Sequence, residues 1–193
     1  RCYWVLGGER LTDRKYCFNL LLKAAKLNPS NGQAFEWLGY WYQIVGGDQE
    51  RARGCFSRAV KLNPELRGAG EALALLYLEQ GQETLAVILF RQCAAVSVAC
   101  DWAWAGLSRV EMLEGKISEA ASHLQQAIRG RPKSWCYWSD LGWCYHVEGK
   151  QAAALKAYTR AEELLEATGR ISRDAKDGRG VELTACVRVK TQV

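Results

Sequence analysis

The chain has 193 residues, a formal net charge of +5, 49 % apolar residues and only 3 prolines. This length suits one compact domain or a short array of repeats, and the composition excludes a disordered or linker-rich protein. No apolar run approaches the roughly 18 residues of a membrane span, and the start RCYWVLGGER lacks the layout of a signal peptide. We therefore expect no membrane partner, and because the chain opens without methionine we expect a segment of a longer protein.

Charge and cysteine content argue against two further classes of site. Residues 169–193 carry +3 of the net charge, so the rest of the chain lacks the clustered excess that a phosphate-binding surface shows. The 8 cysteines include no CxxC pair and have no histidine pair nearby. Metal sites need clustered ligands, so we predict no metal, and the thiols are expected to be small buried side chains in helices of a cytosolic protein.

In chain order, the apolar pattern first predicts a residual helix at Arg1–Leu6 and a second helix at Thr12–Leu27. After these, four columns of residues recur every 34 positions, and each column keeps its size class. The columns are Ala52, Ala86, Ala120, Ala154; Phe56, Phe90, Leu124, Tyr158; Ala59, Cys93, Ala127, Ala161; and Gly47, Gly81, Gly115, Gly149.

The first half of each repeat follows the same period once an extra residue is allowed in the Gly46–Gly47 turn. Its leucine column is Leu38, Leu73, Leu107, Leu141. Apolar residues at helical spacing predict two helices per repeat, with glycine in the turn and Pro64 or Pro132 after the second helix. The large rings at Phe35 and Phe56 are predicted to fill the space between hairpins.

This period of about 34 residues is the tetratricopeptide pattern. The sequence therefore predicts an all-α fold, a tetratricopeptide helical-hairpin solenoid that winds as a right-handed superhelix. The predicted division is a partial hairpin at 1–31, hairpins at 32–66, 67–100, 101–134 and 135–168, and a flexible non-repeat tail at 169–193.

No enzyme signature stands out. His123 and His146 are the only histidines, and neither has a nucleophile at a recognisable spacing. The glycine-containing turns lack the pattern of a phosphate-binding loop. In WAWAG, packing is favoured over base stacking because Trp104 falls in a core column. We predict no catalytic residue and no cofactor.

The remaining candidate site is the concave groove that first helices line in such repeats. Its predicted residues lie off the core columns and are Glu36, Tyr40, Ile44, Leu75, Trp102, Arg109, Trp143 and His146. Three of them are large rings that we expect to be exposed, and exposed aromatic surface favours a binding site. Either a partner segment or adjacent helices of a longer chain could cover this face. An acid at Glu36 and a phenol at Tyr40 argue against a clamp for a carboxylate.

One segment resembles a particular family. GYWYQIVGGDQERARGCFSRAVKLN (Gly39–Asn63) is similar to the repeats of the large tetratricopeptide subunit of the superkiller complex of animals, with an aromatic-rich first helix, a Gly-Asp turn and RARGC before an aromatic residue. RPKSWCYWSDLGWCY and AALKAYTRAEEL look similar too, so the resemblance covers roughly residues 3–167.

The resemblance implies a non-catalytic scaffold that holds an RNA helicase and a WD40 subunit and supports 3′-to-5′ decay of messenger RNA by the cytoplasmic exosome. It implies a cytoplasmic location, with a nuclear one as an open alternative. Two other functions remain open on the residues alone: a general protein–protein adaptor, and a helical repeat that binds RNA directly.

Overall fold

The computed structural model describes residues 14–167, and this part of the chain forms nine α-helices. Their bounds are α1 (Arg14–Leu27), α2 (Gly32–Trp41), α3 (Gln49–Leu62), α4 (Arg67–Glu79), α5 (Glu83–Val96), α6 (Asp101–Leu113), α7 (Ile117–Gly130), α8 (Trp135–Val147) and α9 (Gln151–Ala167). The all-α fold class is confirmed. The predicted helix at Arg1–Leu6 and the tail at 169–193 lie outside the described residues.

The helices belong to two compact units, Arg1–Val96 with α1–α5 and Ser97–Val193 with α6–α9. In both units sequential helices pack against each other, for example α2 on α3 and α8 on α9. The predicted first helices begin at residues 32, 67, 101 and 135, which are the first residues of α2, α4, α6 and α8. The division of the chain into separate repeat domains stays a prediction. No helix between residues 14 and 167 combines the length and apolarity that crossing a membrane requires.

Glycine makes the turn inside each hairpin, as the periodic column predicts. Gly47, Gly81, Gly115 and Gly149 have φ values of 63°, 69°, 77° and 76°. A side chain at this left-handed φ is strained, so only glycine reverses the chain here without cost. In the first hairpin, Asp48 follows the glycine and its carboxylate accepts a hydrogen bond from the Arg51 amide at 2.9 Å. The Gly-Asp pair thus serves as turn and helix N-cap.

The extra residue of the first hairpin lies just before the turn and not within it. Helix α2 continues into a π-helical segment, Tyr42–Gly46, and the Asp48 amide then bonds the Tyr42 carbonyl at 3.0 Å. A π-helical turn absorbs one more residue than an α-helical one. The insertion therefore leaves the register of α3 unchanged relative to the later second helices, which begin 34 residues apart at 49, 83, 117 and 151.

The predicted core columns are buried throughout the described repeats. The alanine column, the large apolar column and the leucine column all lie inside. In the first unit, Leu21 and Leu38 form a cluster that Phe18, Phe35 and Trp41 cover. In the second unit, a separate cluster includes Ala120, Leu124, Tyr137 and Leu141, with Trp104 and Trp138 packed on it.

Two hairpins depend on a glycine that faces an aromatic ring. A Cβ added at Gly39 would lie 2.5 Å from Cε1 of Phe56, and one added at Gly142 would lie 2.8 Å from Cε1 of Tyr158. Atoms cannot approach so closely, so each glycine lets the backbone of the first helix rest directly on the ring of the second. By contrast, a Cβ added at Gly54 would meet nothing within 4 Å.

This contrast predicts opposite effects for the same substitution. Gly39→Ala should lower the free energy of unfolding by about 1–3 kcal/mol, since the added methyl group overpacks against Phe56. Gly54→Ala lies on an exposed helical face and should raise it by about 0.5–1 kcal/mol, because alanine favours the helix. Urea denaturation followed by circular dichroism measures both, and equal shifts in the two variants would contradict the close contact at Gly39.

Candidate interaction surface

In the first unit, Glu36 and Tyr40 of α2 lie over the start of α4. The amide of Ala69 donates a hydrogen bond to the Glu36 carboxylate. A Cβ added at Gly68 would overlap Oε1 of Glu36 and lie 2.7 Å from the Tyr40 hydroxyl oxygen. The carboxylate therefore caps the positive end of α4, and glycine at 68 provides the space.

Burial changes the ionisation of this pair. Burial raises the pKa of Glu36, and the hydrogen bond from the Ala69 amide opposes that rise in part. Burial also raises the pKa of Tyr40 to about 12, and the negative charges of Glu36 and Glu71 add to the effect. Glu71 is itself engaged by Nη1 of Arg67 at 2.8 Å. Glu36, Tyr40 and Glu71 thus all contact residues of the chain itself.

Ile44 and Leu75 differ from this pair because both are well exposed. Their side chains are 66 % and 56 % exposed. Ile44 follows α2 in the π-helical segment, and Leu75 lies one turn beyond Glu71 on α4. They are the two predicted groove residues of the first unit that offer apolar surface to a partner.

The expected exposure is wrong for Trp102, whereas Tyr40 and Trp143 are partly exposed. Trp102 is only 2 % exposed, because α6 is buried on almost every side from Asp101 to Ser108. The ring of Tyr40 is half-buried and meets Phe56 edge to face at 5.1 Å. Trp143 is half-buried and packs against the core cluster of the second unit. These rings have packing roles inside the chain, and their binding role stays a prediction.

The two remaining predicted residues lie in the second unit. Arg109 of α6 is exposed. His146 of α8 is partly buried, and its Nδ1 lies 3.2 Å from Oε1 of Gln151, at the start of α9. His146 thus contacts the neighbouring helix of its own chain.

Two polar contacts between helices were not predicted. Nδ1 of His123 on α7 lies 2.6 Å from Oε2 of Glu111 on α6. A signal was present, since Glu111 replaces the tyrosine found in three repeats of its column and His123 lies on the paired helix. The buried carboxylate of Asp101 accepts a hydrogen bond from the Tyr137 hydroxyl at 3.0 Å. The period gives no signal for that contact, because neither residue recurs at equivalent positions.

The described part of the chain offers little to hold a metal ion. No group of three or more histidine, cysteine, aspartate or glutamate side chains comes together within residues 14–167. The side chains of Cys93, Cys100 and Cys144 are buried.

Comparison with known proteins defines the class. A sequence profile of the tetratricopeptide repeat matches residues 107–168. The crystal structure of MamA has the same fold with a TM-score of 0.58 and 20 % identity, over 82 % of this chain and 92 % of that chain. YrrB, another tetratricopeptide-repeat protein, has a TM-score of 0.52 and 18 % identity, over 86 % of this chain and 85 % of that chain. The fold of the described residues is therefore the helical-hairpin fold of tetratricopeptide-repeat proteins.

Sequence similarity identifies its relatives within this class. Superkiller complex protein 3 of Mus musculus is 35 % identical over 164 residues, which is 84 % of this chain and 10 % of the relative. The protein of that name from Homo sapiens gives the same values, and superkiller protein 3 of Schizosaccharomyces pombe is 29 % identical over 76 % of this chain and 11 % of the relative. The chain is a homologue of superkiller complex protein 3 and spans about a tenth of the length of these relatives.

The Glu36 cap predicts a pH dependence. The folded pKa of Glu36 is raised, so folding favours its protonated form, and this contribution to stability is lost as pH rises through the raised pKa. The Glu36→Gln variant has no carboxyl group at this position, so its stability does not contain this pH-dependent contribution. Between pH 4 and pH 7, the free energy of unfolding of the wild type should therefore fall relative to that of Glu36→Gln. Urea titrations at several pH values test this, and parallel curves would contradict it.

Trp102 predicts a packing effect that is independent of any partner. Because its side chain is buried, Trp102→Ala should lower the free energy of unfolding by about 3–5 kcal/mol. Arg109→Ala on the same helix is the matched control and should stay within about 0.5 kcal/mol of the wild type, since Arg109 is exposed. Thermal and urea denaturation measure both. If Trp102→Ala is as stable as the wild type, the ring is not part of the core and is again a candidate for the interaction surface.

Proposed function

We propose that this chain is a scaffold segment of a superkiller-type complex. In that role it helps to hold the RNA helicase and the WD40 subunit, and through them supports 3′-to-5′ messenger RNA decay by the exosome in the cytoplasm. A nuclear pool is the alternative location. The identity of 35 % over 164 residues with superkiller complex protein 3 carries this proposal. The helicase would supply the chemistry, and the chain itself would be non-catalytic.

The exposed aliphatic side chains of the first unit support a role in protein binding. Ile44 and Leu75 contribute little to the stability of the described fold, because more than half of each side chain is exposed to solvent. Their burial by a partner would gain free energy, and truncation of a well-buried interface anchor commonly costs about 2 kcal/mol or more. They are therefore better probes of capture than Trp102 or Trp143, whose replacement would also disturb the core.

Direct RNA binding has less support. Arginines of α3 are engaged within the chain: Nε of Arg51 lies 3.2 Å from Oδ2 of Asp48, and Arg53 pairs with Glu50. The guanidinium of Arg58 lies over the ring of Phe35 at 5.3 Å from its centroid. A strong phosphate-binding surface needs cations that are free to replace counterions.

The test is capture of the purified superkiller-type RNA helicase and WD40 subunit by the 193-residue chain. We expect the wild type to retain the helicase and the Ile44→Ser/Leu75→Ser variant to retain at least tenfold less. Leu113→Ser replaces another exposed aliphatic residue, 89 % exposed at the end of α6, and is the matched control. Circular dichroism should show equal helicity in all three proteins.

Three outcomes would count against parts of the proposal. If the chain captures neither protein, the scaffold role of this segment is wrong. If both variants capture as much as the wild type, the helicase is held elsewhere on the chain. Binding of a single-stranded RNA that falls by orders of magnitude between 50 and 200 mM salt would instead support the RNA-binding alternative.

A further inference from the structure

A groove separate from the predicted surface lies in the first unit, between the second helices α3 and α5. It has a volume of about 350 Å³, near the lower end of the range for ligand pockets. Helix α4 packs against both α3 and α5 and forms the floor with Leu73 and Tyr77. We call it the α3–α5 groove and define it by Val60, Lys61, Leu73, Leu85, Ile88 and Val96.

The groove does not share residues with the surface around Leu75. Successive residues of an α-helix are rotated by about 100°, so Leu75 lies on the side of α4 opposite Leu73 and Tyr77. Leu73 is buried and Leu75 is exposed, in agreement with that rotation. A partner on one surface therefore leaves the other accessible.

The repeat itself shows that the fold does not require an apolar rim here. Leu85 and Ile88 are exposed on α5, with Ile88 at 48 %. At the equivalent position of Ile88, the other second helices carry small or polar residues, all exposed, namely Gly54, Ser122 and Lys156. Arginine, glutamate and alanine stand at the position of Leu85, at Arg51, Glu119 and Ala153. Since these helices fold with small or polar residues at both sites, the two exposed aliphatic side chains point to a bound partner.

The charges around the groove favour an acidic partner. Lys61 is the one charged residue among those that line it. The second half of α5, which forms one wall, carries no carboxylate. Within residues 14–167 Lys61 takes part in no ion pair. A carboxylate brought to Lys61 would therefore meet a cation that forms no ion pair within the described chain.

The length of the groove sets the size of its occupant. From Leu85 to Val96 the α5 wall is about 16 Å long, at 1.5 Å per residue, and about five extended residues span that distance. A segment of about five residues is therefore long enough to contact the whole wall.

We propose that the α3–α5 groove binds a short segment of a partner protein that presents two aliphatic side chains and a carboxylate. The aliphatic side chains lie between Val60, Leu73 and Ile88, and the carboxylate lies at Lys61. This site does not depend on the superkiller partners, and its variants differ from those that test helicase capture. Either proposal can therefore fail alone.

The experiment selects peptides from a random decapeptide phage library on the full 193-residue chain, with Ile88→Ser for subtraction. We expect the retained peptides to share two aliphatic residues and an aspartate or glutamate within about five residues. Synthetic, fluorescein-labelled copies measured by fluorescence polarisation should bind Ile88→Ser at least tenfold more weakly than the wild type. Leu155→Ser is the matched control, since Leu155 is 69 % exposed on α9 and outside the groove, and it should bind like the wild type.

A charge reversal distinguishes specific binding from non-specific apolar binding. The affinity of Lys61→Glu for the acidic peptides should be at least tenfold lower than that of the wild type. The same variant should bind more tightly than the wild type to peptides in which lysine replaces the acidic residue. Three results would overturn the proposal. The first is that no selected peptide loses affinity for Ile88→Ser, and the second is that peptide affinity does not change with the charge at position 61. The third is a dimer of the wild type in sedimentation velocity that the Ile88→Ser substitution dissociates. The last would identify a second copy of the chain as the occupant.

Discussion

In the first and the last described hairpins, the distance between the two helices depends on the contact between a glycine and an aromatic ring. Phe56 rests on the backbone at Gly39, and Tyr158 rests on the backbone at Gly142. The residues at the equivalent position in the other two first helices, Ala74 and Ser108, are also small and buried. Because the helices approach so closely, the alanine column of the second helix is buried in every described hairpin. The left-handed turn glycines then let the chain reverse over the short gap.

The repeat period predicted the core because equivalent residues meet equivalent surroundings. Ala52, Phe56 and Leu38 could therefore be assigned from spacing alone, and so could Gly47 as a turn residue. The period could not predict contacts that occur once. Glu36 caps α4 only because Gly68 leaves room for it, and Trp102 is buried because α6 is enclosed on nearly all sides. The cap depends on the neighbouring helix α4 and not on the place of Glu36 in its own repeat.

Exposed departures from the repeat carry functional information that buried positions do not. A buried position such as Ala120 is fixed by packing, and its residue type follows from the space available. An exposed position of a second helix tolerates glycine, serine or lysine, as Gly54, Ser122 and Lys156 show. Isoleucine at the equivalent position, Ile88, needs another explanation, and a chain with several repeats supplies its own reference for that comparison.

The two surfaces of the first unit are coupled to the fold to different degrees. A partner that binds the Glu36 carboxylate would break its hydrogen bond with the Ala69 amide and leave α4 without its cap. The loss of the cap would reduce the net free energy of binding. The rim of the α3–α5 groove has no such task, since Ile88 and Lys61 stabilise no other described element through an ion pair or the core. Substitutions at that rim can therefore change affinity while the hairpin stays folded, whereas substitutions around Glu36 change affinity and stability together.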